Sequence, residues 1–292
     1  MSDGLCNGIS FNVSEGHGPN YIVGRYKLGF VQQGILFLDP YECLYLYFKG
    51  RITFEDSEES ALKKLFSITS VERYTAYTLL KNKGYRVHED NGTIFFRKST
   101  EIPRSVVVVR EYDEIDVGKF FTERPDFYFT VDEEGDATIY RIDEIDIKGT
   151  ENNKIGKCSV TDFGDRHFTK DDLPHWMGTK FHEYRMLTDF EANLIEGKEP
   201  KGMAEEVYRD LLSRGCIVKT GFKYGTNFRV YEGEKSEHAE YLVSVVENKL
   251  IWYYISRAVR VASSVRKKMI FTTIIDGKIK YIMISRSKDI VI

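Results

Sequence analysis

One eight-residue pattern occurs twice in this chain. Tyr77-x-x-Leu80-x-x-x-Gly84 returns as Tyr208-x-x-Leu211-x-x-x-Gly215, with both ends displaced by the same 131 positions. Apolar residues at i and i+3 mark one face of a helix, and the glycine marks its end, since a left-handed residue there closes the last turn without a Cβ penalty. A β-like run follows at once, Tyr85-Arg86-Val87 in the first copy and Cys216-Ile217-Val218 in the second. The copies agree again downstream. Phe127-Tyr128-Phe129-Thr130-Val131, a turn at Gly135 and Thr138-Ile139-Tyr140-Arg141-Ile142 answer to Ile270-Phe271-Thr272-Thr273-Ile274, a turn at Gly277 and Lys280-Tyr281-Ile282-Met283-Ile284. The glycine offset there is 142, so the second copy has gained residues in between.

A repeated helix-then-strands unit predicts an α+β protein of two homologous α/β repeats, the second a mixed β-sheet with packed helices. We place the first at 1–147 and the second at 148–292, with 148–215 as a mainly helical lead-in and 216–292 as the domain proper. At 292 residues there is room for two cores. Hydrophobic content of 42% and charged content of 30% exclude a disordered chain. Cys6, Cys43, Cys158 and Cys216 lie far apart with no C-x-x-C pair, which argues against a zinc ribbon or a disulfide framework and for a reducing, cytoplasmic setting. No basic-then-apolar leader is visible, and no apolar run approaches the ~20 residues that span a bilayer, so no membrane partner is expected.

Charge is unevenly spread. From Cys216 onward there are 14 Lys and Arg against 7 Asp and Glu, on a chain whose net charge is −3. A basic C-terminal segment on an acidic chain can hold phosphates locally.

The residues gained by the second copy hold its chemistry. Tyr231, His238 and Lys267 supply a phenol, an imidazole and an ammonium. That set suffices to turn a ribose 2′-OH against its own 3′-phosphate, with no metal and no cofactor. Histidine titrates near 6.5 and can give up a proton, a fixed ammonium favours growing negative charge, and a phenol acts as a base where neighbouring cations lower its pKa from about 10. Strands are expected at Cys216 to Lys219 and Phe228 to Tyr231, and at Tyr241 to Val246 with His238 opening it. Ile251, Ile255, Val259, Ala262 and Val265 recur at helical spacing. Arg260, Ser264 and Lys267 follow at i, i+4 and i+7, which puts Arg260 and Lys267 ~10.5 Å apart on one face where the helix persists. Other constellations read as ordinary surface. Asp162, Asp165, His167, Asp171 and Asp172 are loop groups of the kind usually solvated, Glu247-Asn248-Lys249 lies in a polar turn without a partner Asp, and His175 and His182 lack zinc-site spacing.

Lys219-Thr220-Gly221-Phe222-Lys223-Tyr224-Gly225 with Phe228-Arg229-Val230-Tyr231, then His238-Ala239-x-Tyr241-Leu242-Val243, then Arg257-x-x-Arg260-Val261-Ala262-x-Ser264-Val265-Arg266-Lys267-Lys268, stand in one order along the chain. These three blocks resemble the catalytic domain of the archaeal tRNA-splicing endonucleases over roughly Leu211 to Ile284. Leu187-x-x-Phe190-Glu191-Ala192 extends the likeness upstream. One departure is Asn227, where the family usually has Asp; Asn also suits such a turn, so turn chemistry rather than the reaction should change.

The resemblance implies a catalytic set of Tyr231 as general base on the 2′-OH, His238 as general acid on the departing 5′-oxygen and Lys267 as stabiliser of the phosphorane. The choice of Lys267 over Lys268 follows from that alignment. Products would carry a 2′,3′-cyclic phosphate and a 5′-OH, and no metal or other cofactor is implied. An arginine pair, Arg260 with Arg286 beyond the last strand, would hold a bulge nucleotide. The family builds its enzyme from four such units, so a fused chain implies a homodimer with two active sites. Its substrate would be precursor tRNA with a bulge-helix-bulge, read by shape, and DNA is not an expected partner. An acidic turn of the first copy, Asp132, Glu133, Glu134 and Asp136, would dock on the basic second copy of the other chain. The first copy lacks a recognisable Tyr/His/Lys set in the matching blocks between Gly84 and Phe127 and is expected to be structural. Two alternatives stay open: a non-catalytic RNA-binding subunit, and a metal-dependent nuclease.

Overall fold

Both glycines of the repeated pattern end a helix in the same way. Helix Val71–Asn82 closes where Gly84, at φ +83°, donates to the Lys81 carbonyl at 3.0 Å and Tyr85 N–H reaches back to the Leu80 carbonyl at 3.3 Å. Helix Met203–Ser213 closes where Gly215, at φ +81°, donates to Leu212 at 3.0 Å and Cys216 N–H reaches Leu211 at 3.1 Å. This paired bond pattern satisfies carbonyls that a helix end otherwise leaves open. Tyr77, Leu80, Tyr208 and Leu211 are buried.

The computed structural model describes residues 2–99, 101–152, 155–156, 158–233 and 238–287 as a mixed α+β protein. It has two units: Met1–Glu111 with Pro125–Ile139, and Tyr112–Arg124 with Tyr140–Ile292. The first opens with a sheet in the order Phe30–Gln32, Ile35–Phe37, Gly4–Cys6, Ile9–Val13, Ile52–Phe54. Phe11, Ile22, Leu36, Leu44 and Leu46 form its dry centre. After helix Val71–Asn82, Arg86–Asp90, Thr93–Arg97 and Arg104–Val109 pair antiparallel, and Phe127–Val131 then runs parallel to Arg104–Val109.

The second unit repeats that plan. After helix Met203–Ser213, strands Ile217–Thr220, Phe228–Tyr231 and Tyr241–Val245 pair antiparallel, and Lys268–Ile275 runs parallel to Tyr241–Val245. A parallel pair needs a crossover. Lys249–Ile251 and helix Trp252–Ser264 supply it, and Lys278–Ser287 returns antiparallel. The helix buries Ile255, Val259 and Ala262, as their spacing predicts, and Trp252, which that spacing did not include, while Ile251 and Val265 lie exposed just outside its two ends. Lys249–Ile251 pairs with Glu114–Asp116, within the same unit.

A second shared device escaped the sequence reading. Glu42, third in helix Pro40–Phe48, accepts from Asp39 N–H and from Gly29 N–H, both at 3.1 Å. Glu191, third in helix Asp189–Ile195, accepts from Thr188 N–H and from Gly178 N–H, both at 2.9 Å. Each closes a reciprocal cap and ties in a glycine 13 residues upstream.

Several expectations need correction. Residues 148–215 are not mainly helical before the nuclease-like strands: Thr161–Phe163, Arg166–Thr169, Tyr184–Leu187 and Thr179–Phe181 form an antiparallel sheet. Gly164 at φ +64° and His182 at φ +55° turn its hairpins, and Phe163, Phe168, Phe181 and Tyr184 pack on one another. The two units divide at Ile139/Tyr140, with 112–124 joining the second. Strand Tyr241–Val245 begins after His238, not at it. Arg286 lies within strand Lys278–Ser287, not beyond it. Finally, Arg260 and Lys267 share no continuous helix, because Arg266 turns left-handed at φ +57° and Lys267 N–H folds back to the Ala262 carbonyl at 2.9 Å.

Candidate active site

Strand register brings the ends of three segments together. Val230 pairs with Tyr241, and Tyr241 pairs with Lys268. One position further along, Tyr231, Glu240 and Lys267 follow as a row across that end of the sheet. With strands ~4.8 Å apart, the backbones of Tyr231 and Lys267 lie ~10 Å from each other, with Glu240 between them.

The segment around Glu240 is pinned from both sides. Its N–H donates to the Val230 carbonyl at 3.0 Å, and its own carbonyl accepts from Lys268 N–H at 2.9 Å. Lys267 Nζ donates to the Ala239 carbonyl at 2.6 Å, one residue from the exposed His238. The Glu240 carboxylate accepts from Glu232 N–H at 3.0 Å, just past Tyr231. Tyr241 hydroxyl donates to Glu232 Oε1 at 2.5 Å, and burial together with that carboxylate pushes the phenol's pKa up, so it stays a donor. Lys268 points elsewhere, with its Nζ 5.5 Å from the Tyr241 ring centre. Residues 234–237, just before His238, lie outside the described residues.

The geometry thus gathers Tyr231, the segment of His238, and Lys267. Arg260 is exposed on helix Trp252–Ser264, and Arg286 is exposed on the last strand. Asn227 uses its side-chain oxygen to accept Val245 N–H at 2.9 Å, while its carbonyl accepts Gly221 N–H at 2.9 Å. The acceptor role is one that Asp could fill equally. Glu232 and Glu240 were missed by the sequence reading, and Tyr241 entered it only as part of a strand block. No motif marks the two glutamates; the cross-strand register alone reveals them.

The remaining candidates fall elsewhere. His167 Nδ1 lies 2.6 Å from Asp162 Oδ1, Asp171 accepts from Ser159 N–H at 2.6 Å, and among the described residues no three His, Cys, Asp or Glu converge as a cation site. In the acidic turn, Asp132 Oδ1 accepts from Glu134 N–H at 3.1 Å and Asp136 N–H at 2.8 Å, which leaves Glu133, Glu134 and Asp136 exposed.

A cavity of about 770 Å³ opens beside the start of strand Phe228–Tyr231, where Asn227, Phe228 and Arg229 line it. Lys219, Arg229, Arg166 and Lys180 line it against Glu191 and Asp189. Burial lowers the pKa of Lys219, and Glu191, whose carboxylate lies 3.5 Å away, partly restores it. Arg229 Nε is shielded from solvent without a hydrogen-bond partner.

Residues 203–281 match the model of the tRNA intron endonuclease catalytic C-terminal domain. That range holds the whole row of strand ends. A tRNA-splicing endonuclease of Picrophilus torridus is 35% identical over 285 residues, 97% of this chain and 96% of its own length. Shorter matches join the C-terminal part to tRNA-splicing endonucleases of Methanosarcina barkeri, 48% identical over 28% of this chain and 25% of that one, and of Methanopyrus kandleri, 47% over 26% and 46%. Among the described residues no helix is long and apolar enough to cross a membrane. Full-length identity to the Picrophilus enzyme and the catalytic-domain match over 203–281 establish that the chain belongs to the tRNA-splicing endonuclease family.

Proposed function

We propose that this chain cuts precursor tRNA at its intron boundaries, in a bulge-helix-bulge RNA, with its own 2′-OH as nucleophile. Tyr231 removes the 2′-OH proton, the 2′-oxygen bonds to phosphorus, and the bond from phosphorus to the 5′-oxygen breaks. His238 protonates that leaving oxygen. Lys267 faces the phosphorane oxygens, where charge grows, and a fixed ammonium in a partly dry site stabilises that charge more than it stabilises the ground state. The products are a 2′,3′-cyclic phosphate and a 5′-OH. The observation that carries this reading is the bond from Lys267 Nζ to the Ala239 carbonyl, which ties the lysine to the backbone next to His238.

The chain acts as a homodimer of two-repeat subunits, the first repeat structural and the second, which holds Tyr231, His238 and Lys267, catalytic. Arg260 and Arg286 stack on or pair with a bulge nucleotide. The turn of Glu133, Glu134 and Asp136 seats in the Lys219 and Arg229 cavity of the second repeat of the other chain, where carboxylates meet half-buried cations. The purified chain, given one bulge-helix-bulge RNA and the same RNA made continuous duplex, should cut the first and spare the second. Equal cutting of both, or of neither, contradicts the proposal.

A further inference from the structure

Helix Trp252–Ser264 turns an aromatic and basic stripe to solvent. Tyr253, Arg257, Arg260 and Ser264 follow one another at i, i+4, i+7 and i+11, all exposed, and the helix contains no acidic residue. Tyr112 lies against its first turn. The Tyr112 and Tyr253 rings are 5.9 Å apart and inclined by only 17°, and Tyr254 meets Tyr253 edge-on at 5.7 Å. Exposures of 68% for Tyr112, 42% for Tyr253 and 55% for Tyr254 are high for a cluster that a monomer would be expected to bury. The backbone beneath is fixed, since Trp252 N–H donates to the Asp113 carbonyl at 3.0 Å and Glu114–Asp116 pairs with Lys249–Ile251. Nearby acid is partly neutralised, Glu114 being bonded to Lys249 Nζ.

We infer that Tyr112, Tyr253 and Tyr254, with Arg257, form a stacking platform for an RNA strand. The strand leaves the cleavage site and runs back along the helix from Lys267 past Arg260. Ring faces bind bases of any identity, and guanidinium groups without acidic neighbours on the same helix select a phosphate backbone over a second apolar protein face. The stripe from Tyr253 to Ser264 spans ~16 Å at 1.5 Å per residue, a reach of several nucleotides. This inference rests on the proposed RNA cleavage and adds to it a binding surface outside the arginine pair.

The test uses the full chain and a bulge-helix-bulge RNA whose scissile 2′-OH is replaced by hydrogen, so that binding is read without cleavage. Replacing Tyr112, Tyr253 and Tyr254 by Ser should raise Kd at least tenfold, while cleavage of ordinary RNA at saturation falls far less. The triple Phe variant should restore Kd, because stacking survives loss of the hydroxyl. Arg257→Gln should reduce the slope of log Kd against log salt by about one. An unchanged Kd in the Ser variant overturns the platform. So does a shift of the Ser variant from dimer to monomer in sedimentation, which would assign the cluster to a second copy of this chain. In either case wild-type cleavage stays intact and the functional reading stands. A wild-type chain that neither binds nor cuts this RNA removes both.

Discussion

The ammonium of Lys267 donates to the carbonyl of Ala239 at 2.6 Å, joining the start of one strand to the residue after His238. One of three donors is committed there, and two remain for a ligand. Lys267→Ala should therefore lower single-turnover cleavage by ~10²–10³ with RNA affinity nearly unchanged, because the lost interaction grows in the transition state. Lys268→Ala should stay within severalfold of wild type. The reverse ranking would move the phosphorane contact to Lys268.

Glu240 acts at one remove. Its carboxylate accepts the N–H of Glu232, next to Tyr231, while its backbone lies beside Lys267. Glu240→Ala should depress kcat ~10-fold and leave KM little changed, and Glu240→Gln, which keeps an acceptor oxygen, should recover most of the loss. Equal damage from Ala and Gln would mean that the charge, not the bond, is what counts.

The acidic turn offers three side chains that the turn itself does not need. Asp132 builds the turn and should be left alone. Changing Glu133, Glu134 and Asp136 to Lys should shift the chain toward monomer in sedimentation at moderate salt and reduce cleavage in parallel. A dimer that survives with full activity removes this turn from the interface.

Acid should weaken the second unit through Glu205. Burial alone would push this carboxyl up, but Arg209 at 2.7 Å, Lys201 N–H at 3.1 Å and Asn193 at 3.2 Å outweigh it and hold the pKa below the ordinary value. A folded pKa below the unfolded one contributes stability that is present above about pH 4.3 and is lost as pH falls through the folded value. Glu205→Gln should cost ~2 kcal/mol at pH 7 and flatten the acid limb of a urea-melt series run from pH 7 to 3. An acid limb as steep as that of wild type would place the sensitivity in other carboxylates.

Glycine and apolar spacing made much of this legible. Gly84 and Gly215 announced two helix ends because a left-handed cap favours glycine, and Ile255, Val259 and Ala262 announced a buried helix face. The cap at Arg266 was invisible for the converse reason. With no glycine there, nothing in the spacing ends the helix before Lys267. The sheet of 161–187 was missed because its strands have three or four residues and carry their charges outward, so alternation has no length in which to show. The paired glutamates Glu42 and Glu191 repeat at an offset of 149, not 131 or 142, so they lie outside the register of the other repeated features. At the site, residue types named Tyr231, His238 and Lys267, but Glu232 and Glu240 required the register. Close approach of backbone was equally silent: a Cβ on Gly149 would lie 2.0 Å from the Gly215 carbonyl oxygen.

Cleavage of a bulge-helix-bulge RNA in excess EDTA, with hydroxyl or hydrogen at the scissile 2′ position, tests the proposed chemistry most directly. The hydroxyl substrate should be cut in EDTA to a 2′,3′-cyclic phosphate and a 5′-OH, and the deoxy substrate should stay whole. Loss of cutting in EDTA, a 5′-phosphate product, or cutting of the deoxy RNA would contradict an attack by the substrate's own 2′-oxygen.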